Sequence, residues 1–276
     1  GGALVKNKLF WFGAIDPSYA TRTLAAPPGF PLATLGNVDR NRRTVSYAAK
    51  ATWQVTSSQS INASFFGDPS HGAPGPQRTS SLLATTDSSF STLDYGGHQQ
   101  TIRYSGAETN RWLVEASFAR SRNSIGELPK VNTWRVTDQT VTPTVITGGI
   151  GSYEAGNVSL SKQWNVKSTH LLGGHAIKYG FQYDDVTYAQ VNQRTGPTFT
   201  APDGRQTATG ASITVLPDIN FGKIYRVTRA NFNVARNIPQ TYSNFFAQDE
   251  WRLGRATING GIRYEQEKMS GTIIKD

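Results

Sequence analysis

The clearest pattern of hydrophobic and polar positions runs from Arg43 to Val55, where the two kinds of residue alternate without a break. Because successive side chains of a strand point to opposite faces of a sheet, this alternation predicts a β-strand. Ordinary strands have about 5–6 residues, whereas a tilted strand that crosses a bilayer needs about 9–11. The segment therefore fits either a bilayer-spanning strand or a long strand of a soluble sandwich. Its apolar face has aromatic residues near both ends, as at membrane interfaces, and comprises Val45, Tyr47, Ala49, Ala51, Trp53 and Val55.

The same alternation recurs along the chain and predicts about nine strands in all. The further segments are 9–16, 60–67, 98–106, 112–123, 158–166, 177–184, 241–253 and 257–265. Asp249 is out of phase, because it falls on the apolar face of its segment. Eleven residues on the apolar faces are predicted to face lipid: Val45, Tyr47, Ala49, Ala51, Trp53, Ile177, Tyr179, Phe181, Ile258, Ile262 and Tyr264.

The connections between these segments alternate between short and long, and this alternation separates the two fold hypotheses. Short turns are predicted at 56–59, 107–111 and 254–255, and long loops at 17–42, 68–97, 124–156 and 190–239. The last of these loops is expected to hold strand pieces of its own near 212–216 and 223–234. An outer-membrane barrel has short periplasmic turns and long outer loops, and its strands must close into one sheet because lipid offers backbone groups no hydrogen bonds. The sequence thus favours an all-β, antiparallel transmembrane β-barrel over a soluble sandwich. The residues predicted to face the lumen are Lys50, Arg103, Lys178, Gln182, Arg252, Arg263 and Glu265.

Composition narrows the class of protein further. The 276 residues contain no Cys, so neither a disulfide framework nor a thiolate metal site is present. The sequence contains no run of about 18 apolar residues, so a membrane-spanning helix is not predicted. The net charge is +9, with Lys and Arg scattered along the chain, which favours solvated faces and loops over a nucleic-acid stripe. The chain begins Gly1-Gly2-Ala3 without Met, so we expect a fragment or a processed segment.

Two stretches carry a resemblance to a known family. Residues 1–14 (GGALVKNKLFWFGA) resemble the junction between plug and first barrel strand in TonB-dependent outer-membrane receptors, especially the Oar-like branch. Residues 245–253 (FFAQDEWRL) and 258–265 (INGGIRYE) resemble the mid-barrel hairpin of the same receptors. The resemblance implies a plug inside a barrel of about 22 strands. Residues 1–276 are then expected to be the N-terminal part of the barrel domain, without the plug, the TonB-contacting segment and the later strands.

Catalytic, cofactor and metal sites are not predicted, and we expect no enzyme. His71, His98, His170 and His175 are predicted to be loop or turn surface residues rather than metal ligands. The adjacent carboxylates Asp184 and Asp185 point to opposite faces of a strand, which disfavours an acid/base pair. The stretch 148–151 (GGIG) lacks a following Lys-Ser/Thr and is predicted to be a flexible loop tip rather than a phosphate cradle. No nucleophile-elbow sequence occurs.

Three classes of function remain open: an energised outer-membrane receptor or transporter, a non-transporting barrel or adhesion protein, and an outer-membrane hydrolase. The expected location is the bacterial outer membrane, and the expected partners are its lipid and lipopolysaccharide, the plug and the TonB system. Recognition of a small-molecule or peptide ligand is expected in the outer loops. The longest loop mixes cations with aromatics and could contact such a ligand, clamp lipopolysaccharide phosphates or stay solvated. Its candidate ligand residues are Arg194, Arg205, Lys223, Tyr225, Arg226 and Arg229.

Overall fold

A computed structural model describes residues 1–197, 199–200, 206–208, 211–229 and 234–270. Within these ranges the chain forms strands and three short 3-10 helices. No helix in the described ranges is long and apolar enough to span a bilayer. The helices are η1 (Pro31–Leu35), η2 (Thr79–Leu83) and η3 (Asp87–Ser89). The strands are β1 (Gly2–Val5), β2 (Leu9–Leu24), β3 (Val38–Gln54), β4 (Gln59–Gly67), β5 (Ser70–Gly72), β6 (Ser91–Thr109), β7 (Trp112–Pro129), β8 (Arg135–Asp138), β9 (Val145–Thr147), β10 (Ser152–Glu154), β11 (Asn157–Leu172), β12 (His175–Arg194), β13 (Phe199–Thr200), β14 (Gln206–Ala208), β15 (Ala211–Asp218), β16 (Gly222–Arg229), β17 (Val234–Leu253) and β18 (Ala256–Met269).

Nine long strands form one antiparallel sheet in sequence order, which confirms both the fold class and the number of predicted strands. The order is β2-β3-β4-β6-β7-β11-β12-β17-β18, with the short β1 paired to β2. Each strand pairs with the next one along the chain, so every hairpin is local. Within the described residues β1 and β18 pair with only one neighbour each and form the two edges of the sheet.

The strands extend well beyond the segments that alternation marked. β12 and β17 have 20 residues each, or about 65 Å at roughly 3.3 Å per residue, against a hydrocarbon thickness of about 30 Å. The bounds predicted for the long loop, Gln190 to Pro239, were wrong at both ends, since β12 runs to Arg194 and β17 begins at Val234. The loop predicted at 17–42 is likewise shorter, because β2 and β3 pair up to Leu24 and Val38.

Cross-strand register gathers the apolar residues on one face, which we call the apolar face. All eleven residues that were predicted to face lipid lie there, on β3, β12 and β18, and their contact with lipid stays a prediction. Ile15 and Ile262 on this face expose 72% and 79% of their surface. One continuous row across eight strands shows the register: Trp53, Ile61, Tyr104, Ala116, Val166, Phe181, Phe245 and Tyr264.

The opposite face, called here the polar face, is equally continuous. The residues that were predicted to face the lumen all lie on it, and one row of paired residues is polar across six strands: Arg103, Ser117, Asn165, Gln182, Asn244 and Glu265. The sheet therefore separates an apolar surface from a hydrogen-bonding one, as a barrel wall between lipid and lumen requires.

Short and long connections lie at opposite ends of the sheet, as predicted. The short ones are residues 55–58, 110–111, 173–174 and 254–255. Gly173 and Gly254 adopt φ values of +61° and +57°, which suit the two-residue hairpin turns that they open.

The long connections pack together into what we call the cap, formed by residues 25–37, 68–90, 130–156 and the described part of 195–229. The third of these holds both β8 and β9, which join β15 and β16 in a four-stranded sheet where β8 and β15 run parallel. Every buried hydrophobic residue among those described lies in the cap: Leu32, Ala84, Phe90, Ile146, Ile150, Ala211 and Val215. The packed core of the chain is thus in segments that the sequence predicted to be loops.

Candidate functional site

The β15–β16 hairpin joins a partly buried strand of the cap, β15, to a strand that is exposed from Gly222 to Thr228, β16. Its strands pair from Ala211 opposite Arg229 to Asp218 opposite Gly222. Asp218 closes the turn, because its Oδ1 accepts hydrogen bonds from the backbone N–H groups of Asn220 and Phe221, each at 2.9 Å. The strand pieces predicted near 212–216 and from Lys223 onward are confirmed as far as Arg229, and residues 230–233 lie outside the described ranges.

Large apolar side chains project from the tip of this hairpin. Ile219 exposes 99% of its surface, Phe221 80% and Tyr225 69%. Single exposed apolar residues are ordinary on protein surfaces, whereas clusters of them mark binding sites, and this short hairpin carries three. The tip is therefore the part of the cap best suited to hold an apolar or aromatic ligand group.

Some of the predicted ligand residues lie on this same hairpin. Lys223, Tyr225 and Arg226 are exposed within one strand, β16, and alternate between its two faces. The Nζ of Lys223 is 3.9 Å from Asp138 Oδ2 on β8. Arg229 is the last residue of β16, and Arg205 lies outside the described residues. The structure thus brings together cations and an aromatic ring beside the apolar tip.

Arg194 lies apart from them, at the base of the cap. It ends β12 opposite Ser152 of β10, and its Nη1 donates to Ser212 Oγ over 3.4 Å. Burial lowers the pKa of its guanidinium from the usual value. Arg194 therefore ties β12 to the foot of the hairpin, away from its exposed tip.

An ion pair between a half-buried arginine and a buried glutamate connects segments of the cap, and the sequence pattern does not predict it. Arg78 forms a two-pronged salt bridge with Glu127, whose side chain is only 9% exposed. Ser91 Oγ also donates to Glu127, over 2.6 Å, and Arg78 Nη1 donates to the carbonyl of Ser152 over 2.7 Å. The pair joins a long connection to the outer end of β7 and to β10. Its partners are 49 residues apart, so no local pattern could reveal them.

A second cation is buried nearby. Arg135 Nη1 donates to the carbonyl of Ile150 over 3.1 Å. The pKa of Arg135 is lowered by burial and, to a smaller extent, by the positive charge of Arg78. Arginine keeps its charge under such conditions, so the base of the cap is electropositive.

The Gly148–Gly151 stretch is a packed element, and its prediction as a flexible loop tip was wrong. Ile150 is 2% exposed. Gly151 N–H donates to Thr195 Oγ1 over 2.9 Å, and Thr195 N–H donates to the Gly151 carbonyl over 3.0 Å. A Cβ on Gly149 would lie 2.3 Å from the carbonyl oxygen of Thr133. The glycines allow two long connections to approach each other closely, so their sequence reflects packing rather than mobility.

The histidines lie in strands, which corrects their prediction as loop or turn residues. His71 and His175 each contact a carboxylate, with 2.6 Å between His71 Nδ1 and Asp94 Oδ1 and 2.5 Å between His175 Nδ1 and Asp249 Oδ2. The second pair explains the out-of-phase Asp249, whose charge meets a partner on the apolar face near the short connections. Within the described ranges, no group of three or more His, Cys, Asp or Glu side chains is arranged to hold a metal ion.

The adjacent carboxylates on β12 have separate partners. Asp184 accepts a hydrogen bond from Gln182 Nε2 over 3.0 Å on the polar face. Asp185 lies 3.4 Å from Lys162 Nζ on the apolar face. They do not converge on a common site, as their positions in the sequence predicted.

Comparison with known proteins agrees with this architecture. Residues 15–270 match the family model described as "Outer membrane beta barrel domain". The fold is similar to that of the outer membrane transporter YddB from Escherichia coli, with a TM-score of 0.63 and 9% identity over 97% of this chain and 33% of that one. No curated protein sequence matches the chain.

Two further solved structures are less similar. They are the ferric-catecholate import receptor Fiu from E. coli K12 (TM-score 0.47, 13% identity, 96% of this chain and 41% of that one) and the siderophore receptor PiuA from Acinetobacter baumannii (0.39, 10%, 96% and 42%). At such identities the likeness concerns the fold alone. The chain spans about a third of the length of YddB.

Proposed function

Because the chain belongs to the family of outer-membrane β-barrel domains, we propose that it forms part of the wall of a TonB-energised receptor that takes up a ligand across the bacterial outer membrane. The observation that carries the proposal is the pairing of a polar inner wall with a structured cap whose hairpin exposes apolar, aromatic and cationic side chains. The resemblance of residues 1–14 and 245–265 to the Oar-like branch of these receptors supports the same placement.

The polar face suits a lumen that is filled by water and a plug. On β12, β17 and β18 its side chains form a connected network. Asn244 Nδ2 donates to Gln182 Oε1 over 3.2 Å and to Tyr242 OH over 3.3 Å. The same hydroxyl accepts a hydrogen bond from Arg263 Nη2 over 3.0 Å and donates to Glu265 Oε1 over 3.0 Å. Such a wall offers donors and acceptors to a plug domain, and residues 1–276 would supply part of a barrel of about 22 strands.

The hairpin defines the ligand chemistry that we expect. Lys223 and Arg226 attract anions, whereas Phe221 and Tyr225 offer ring faces for stacking. The matching ligand is anionic and carries aromatic groups, a class that includes ferric catecholates. Arg194 would hold the hairpin in place without contacting the ligand. Arg205 and Arg229 are proposed to add positive charge to the ligand-binding surface.

Energised uptake is tested with the full-length protein in cells. Iron-55 bound to a catecholate chelator serves as the anionic, aromatic probe, and chemical cross-linking reports contact with TonB independently of the ligand. We expect a cross-link to TonB and an accumulation of iron that is lost in cells without TonB. A full-length protein that lacks a plug or forms no cross-link would contradict the transporter and favour a non-transporting or adhesive barrel.

The role of the hairpin is tested separately. In the full-length protein, the double variant Ile219→Ser with Phe221→Ser should weaken binding of the probe about tenfold or more, a loss of the size expected from burying two apolar side chains at a binding site. Val141→Ser, at an exposed cap residue outside the hairpin, is the matched control and should leave binding unchanged. Equal binding by the double variant and the wild type would exclude the hairpin as the recognition element.

A further inference from the structure

The four-stranded sheet of the cap has two edges that differ in their protection. One edge is β9, which has only 3 residues and is covered, since Ile146 forms a bridge to Ala84 and is 2% exposed. The other edge is β16, which has 8 residues. Within the described residues β16 pairs with β15 alone. We call the side of β16 that faces away from β15 the open edge.

The backbone groups that face the open edge follow from the pairing of β15. The carbonyl of Val215 accepts a hydrogen bond from the N–H of Gln139, the residue after β8, over 2.9 Å. Val215 therefore directs its backbone groups towards β8 and away from β16. In an antiparallel pair, opposite residues either exchange hydrogen bonds or both direct their groups outward, so Tyr225, opposite Val215, directs its N–H and carbonyl to the open edge. The same alternation places the backbone groups of Val227 there.

The open edge lacks several features that commonly protect edge strands. Such strands are often very short or are interrupted by proline or a bulge. In contrast, β16 has no proline and pairs with β15 in an unbroken register. Its residues Ile224, Tyr225 and Val227 are typical strand formers and expose 40%, 69% and 46% of their surface. A long, exposed edge of this kind is a template for pairing with another strand.

The charge of β16 determines which strand matches it. The strand carries Lys223, Arg226 and Arg229 and has no acidic residue. Like charges on paired strands disfavour pairing, so a second copy of β16, which would bring two sets of cations together, is a poor partner. A strand with carboxylates opposite Lys223 and Arg226 forms favourable cross-strand pairs instead. The matching strand therefore has two acidic residues three positions apart, with β-branched residues around them.

We propose that the open edge of β16 binds an acidic β-strand of a partner protein, which extends the four-stranded sheet of the cap by strand addition. Main-chain hydrogen bonds to Tyr225 and Val227 supply affinity, and the carboxylates supply specificity. Long connections of such barrels face outward, so the expected partner is a protein at the cell surface. The site consists of the backbone of β16 and does not depend on the uptake of a ligand.

The test measures binding of a designed peptide to the full-length protein in nanodiscs. The probe is a fluorescent ten-residue peptide of threonine and valine with two glutamates three positions apart. N-methylation of the alternate amides that face β16 should weaken its binding about tenfold or more, because their hydrogen bonds are lost. N-methylation of the other alternate amides is the matched control and should leave binding unchanged. A peptide with lysine in place of both glutamates should bind as weakly as the first methylated peptide.

A protein variant tests the same edge from the other side. Val227→Pro removes an N–H that faces the open edge, where proline is tolerated, and should weaken binding of the probe about fivefold or more. Val227→Thr keeps the N–H and should bind as the wild type does. If Val227→Pro disturbs the hairpin, the methylated peptides still decide, because they leave the protein unchanged.

Three outcomes would overturn the proposal. The first is equal binding by the two methylated peptides, which would exclude main-chain pairing. The second is equal binding by the lysine peptide, which would exclude an acidic partner. The third is a dimer of the full-length protein that the probe dissociates in analytical ultracentrifugation, since a second copy would then be the occupant of the open edge.

Discussion

On the sheet, Ile15 and Ile262 expose 72% and 79% of their surface, whereas in the cap Leu32 and Ile146 expose 0% and 2%. Both regions belong to one chain and draw on the same apolar residue types. On the prediction that lipid hydrocarbon surrounds the apolar face, the sheet can keep its apolar side chains outside, and its stability rests on paired backbone groups. The cap stands in water and must bury its apolar side chains against one another, as a soluble domain does. The two regions therefore place the same apolar residue types differently because they are adapted to different solvents.

The largest expected effect concerns the ion pair at the base of the cap. Arg78→Ala would leave the buried Glu127 carboxylate without its cation, which costs about 3–5 kcal/mol. We expect faster hydrogen–deuterium exchange of cap amides in the full-length protein, with the exchange of the sheet unchanged. Arg226→Ala, at an exposed cation of the same cap, should change neither.

The replacement Arg78→Met with Glu127→Leu should recover part of the lost protection, because a buried pair can be exchanged for apolar side chains at little cost. Uniformly faster exchange in cap and sheet would show that the two regions unfold together, which would contradict the conclusion that they are stabilised independently.

A charge placed on either face of β3 tests the sheet in the same way. Ala49 lies on the apolar face opposite Gly13 and Phe65, and its neighbour Ala48 lies on the polar face. Ala49→Arg should cost about 2–4 kcal/mol, as for basic residues at the midplane of a barrel's lipid face, whereas Ala48→Arg should cost much less. The free energy of unfolding in lipid vesicles measures both. Equal losses would mean that the faces are assigned wrongly.

The two regions also differ in how far the sequence could predict them. The nine strands were predictable because each passes through lipid, where one face must be apolar at every second position. The outer ends of β2, β3, β12 and β17 were missed because water contacts them and their residues follow no such rule. The cap was missed for another reason: its contacts join distant segments, as Arg78 and Glu127 do.

The candidate site was predicted in part, for the same physical reasons. A strand piece was expected at 223–234, so Lys223, Tyr225 and Arg226 fell within it, although they were chosen as candidates for the composition of their loop. Arg194 was grouped with them by composition alone, and only its contact with Ser212 places it at the base of the hairpin. Ile219 was not predicted, although Asp218 and Asn220 on either side are typical turn residues. A search for such turns between strand-like segments would have found it.

A smaller effect is expected where the cap is tightly packed. At Gly149 an added Cβ would lie 2.3 Å from Thr133 O and 2.5 Å from Thr195 Oγ1. Gly149→Ala should therefore destabilise the cap by about 1–3 kcal/mol, the usual cost of overpacking. Gly156→Ala is the matched control, since no atom lies within 4 Å of its added Cβ. Amide exchange of the cap separates the two variants, and equal exchange in both would restore the flexible-loop interpretation.

The smallest effect concerns a partly exposed carboxylate, Asp138, whose pKa tests whether the cap stands in water. Asp138 Oδ1 accepts hydrogen bonds from Thr140 Oγ1 at 2.6 Å and from Thr140 N–H at 2.8 Å. The pKa of Asp138 is lowered below its usual 3.8. The hydrogen bond from Thr140 Oγ1 contributes most to this shift, the one from Thr140 N–H contributes less, and the charge of Lys223 contributes least. Because the folded pKa is depressed, its stabilising contribution is present above pH 3.8 and is lost as the pH falls through the folded value.

Carbon-13 NMR of labelled Asp carboxyl groups in the full-length protein measures this pKa directly. Thr140→Val should raise it part of the way to 3.8, since the backbone donor remains, and Lys223→Gln should raise it less, because the Lys223 ammonium is 3.9 Å away and is screened by solvent. A larger rise with Lys223→Gln would contradict this order of causes. A wild-type pKa above 3.8 would contradict the placement of the cap in water. It would mean that desolvation dominates at Asp138 and that the cap, like the sheet, lies in a medium of low dielectric constant.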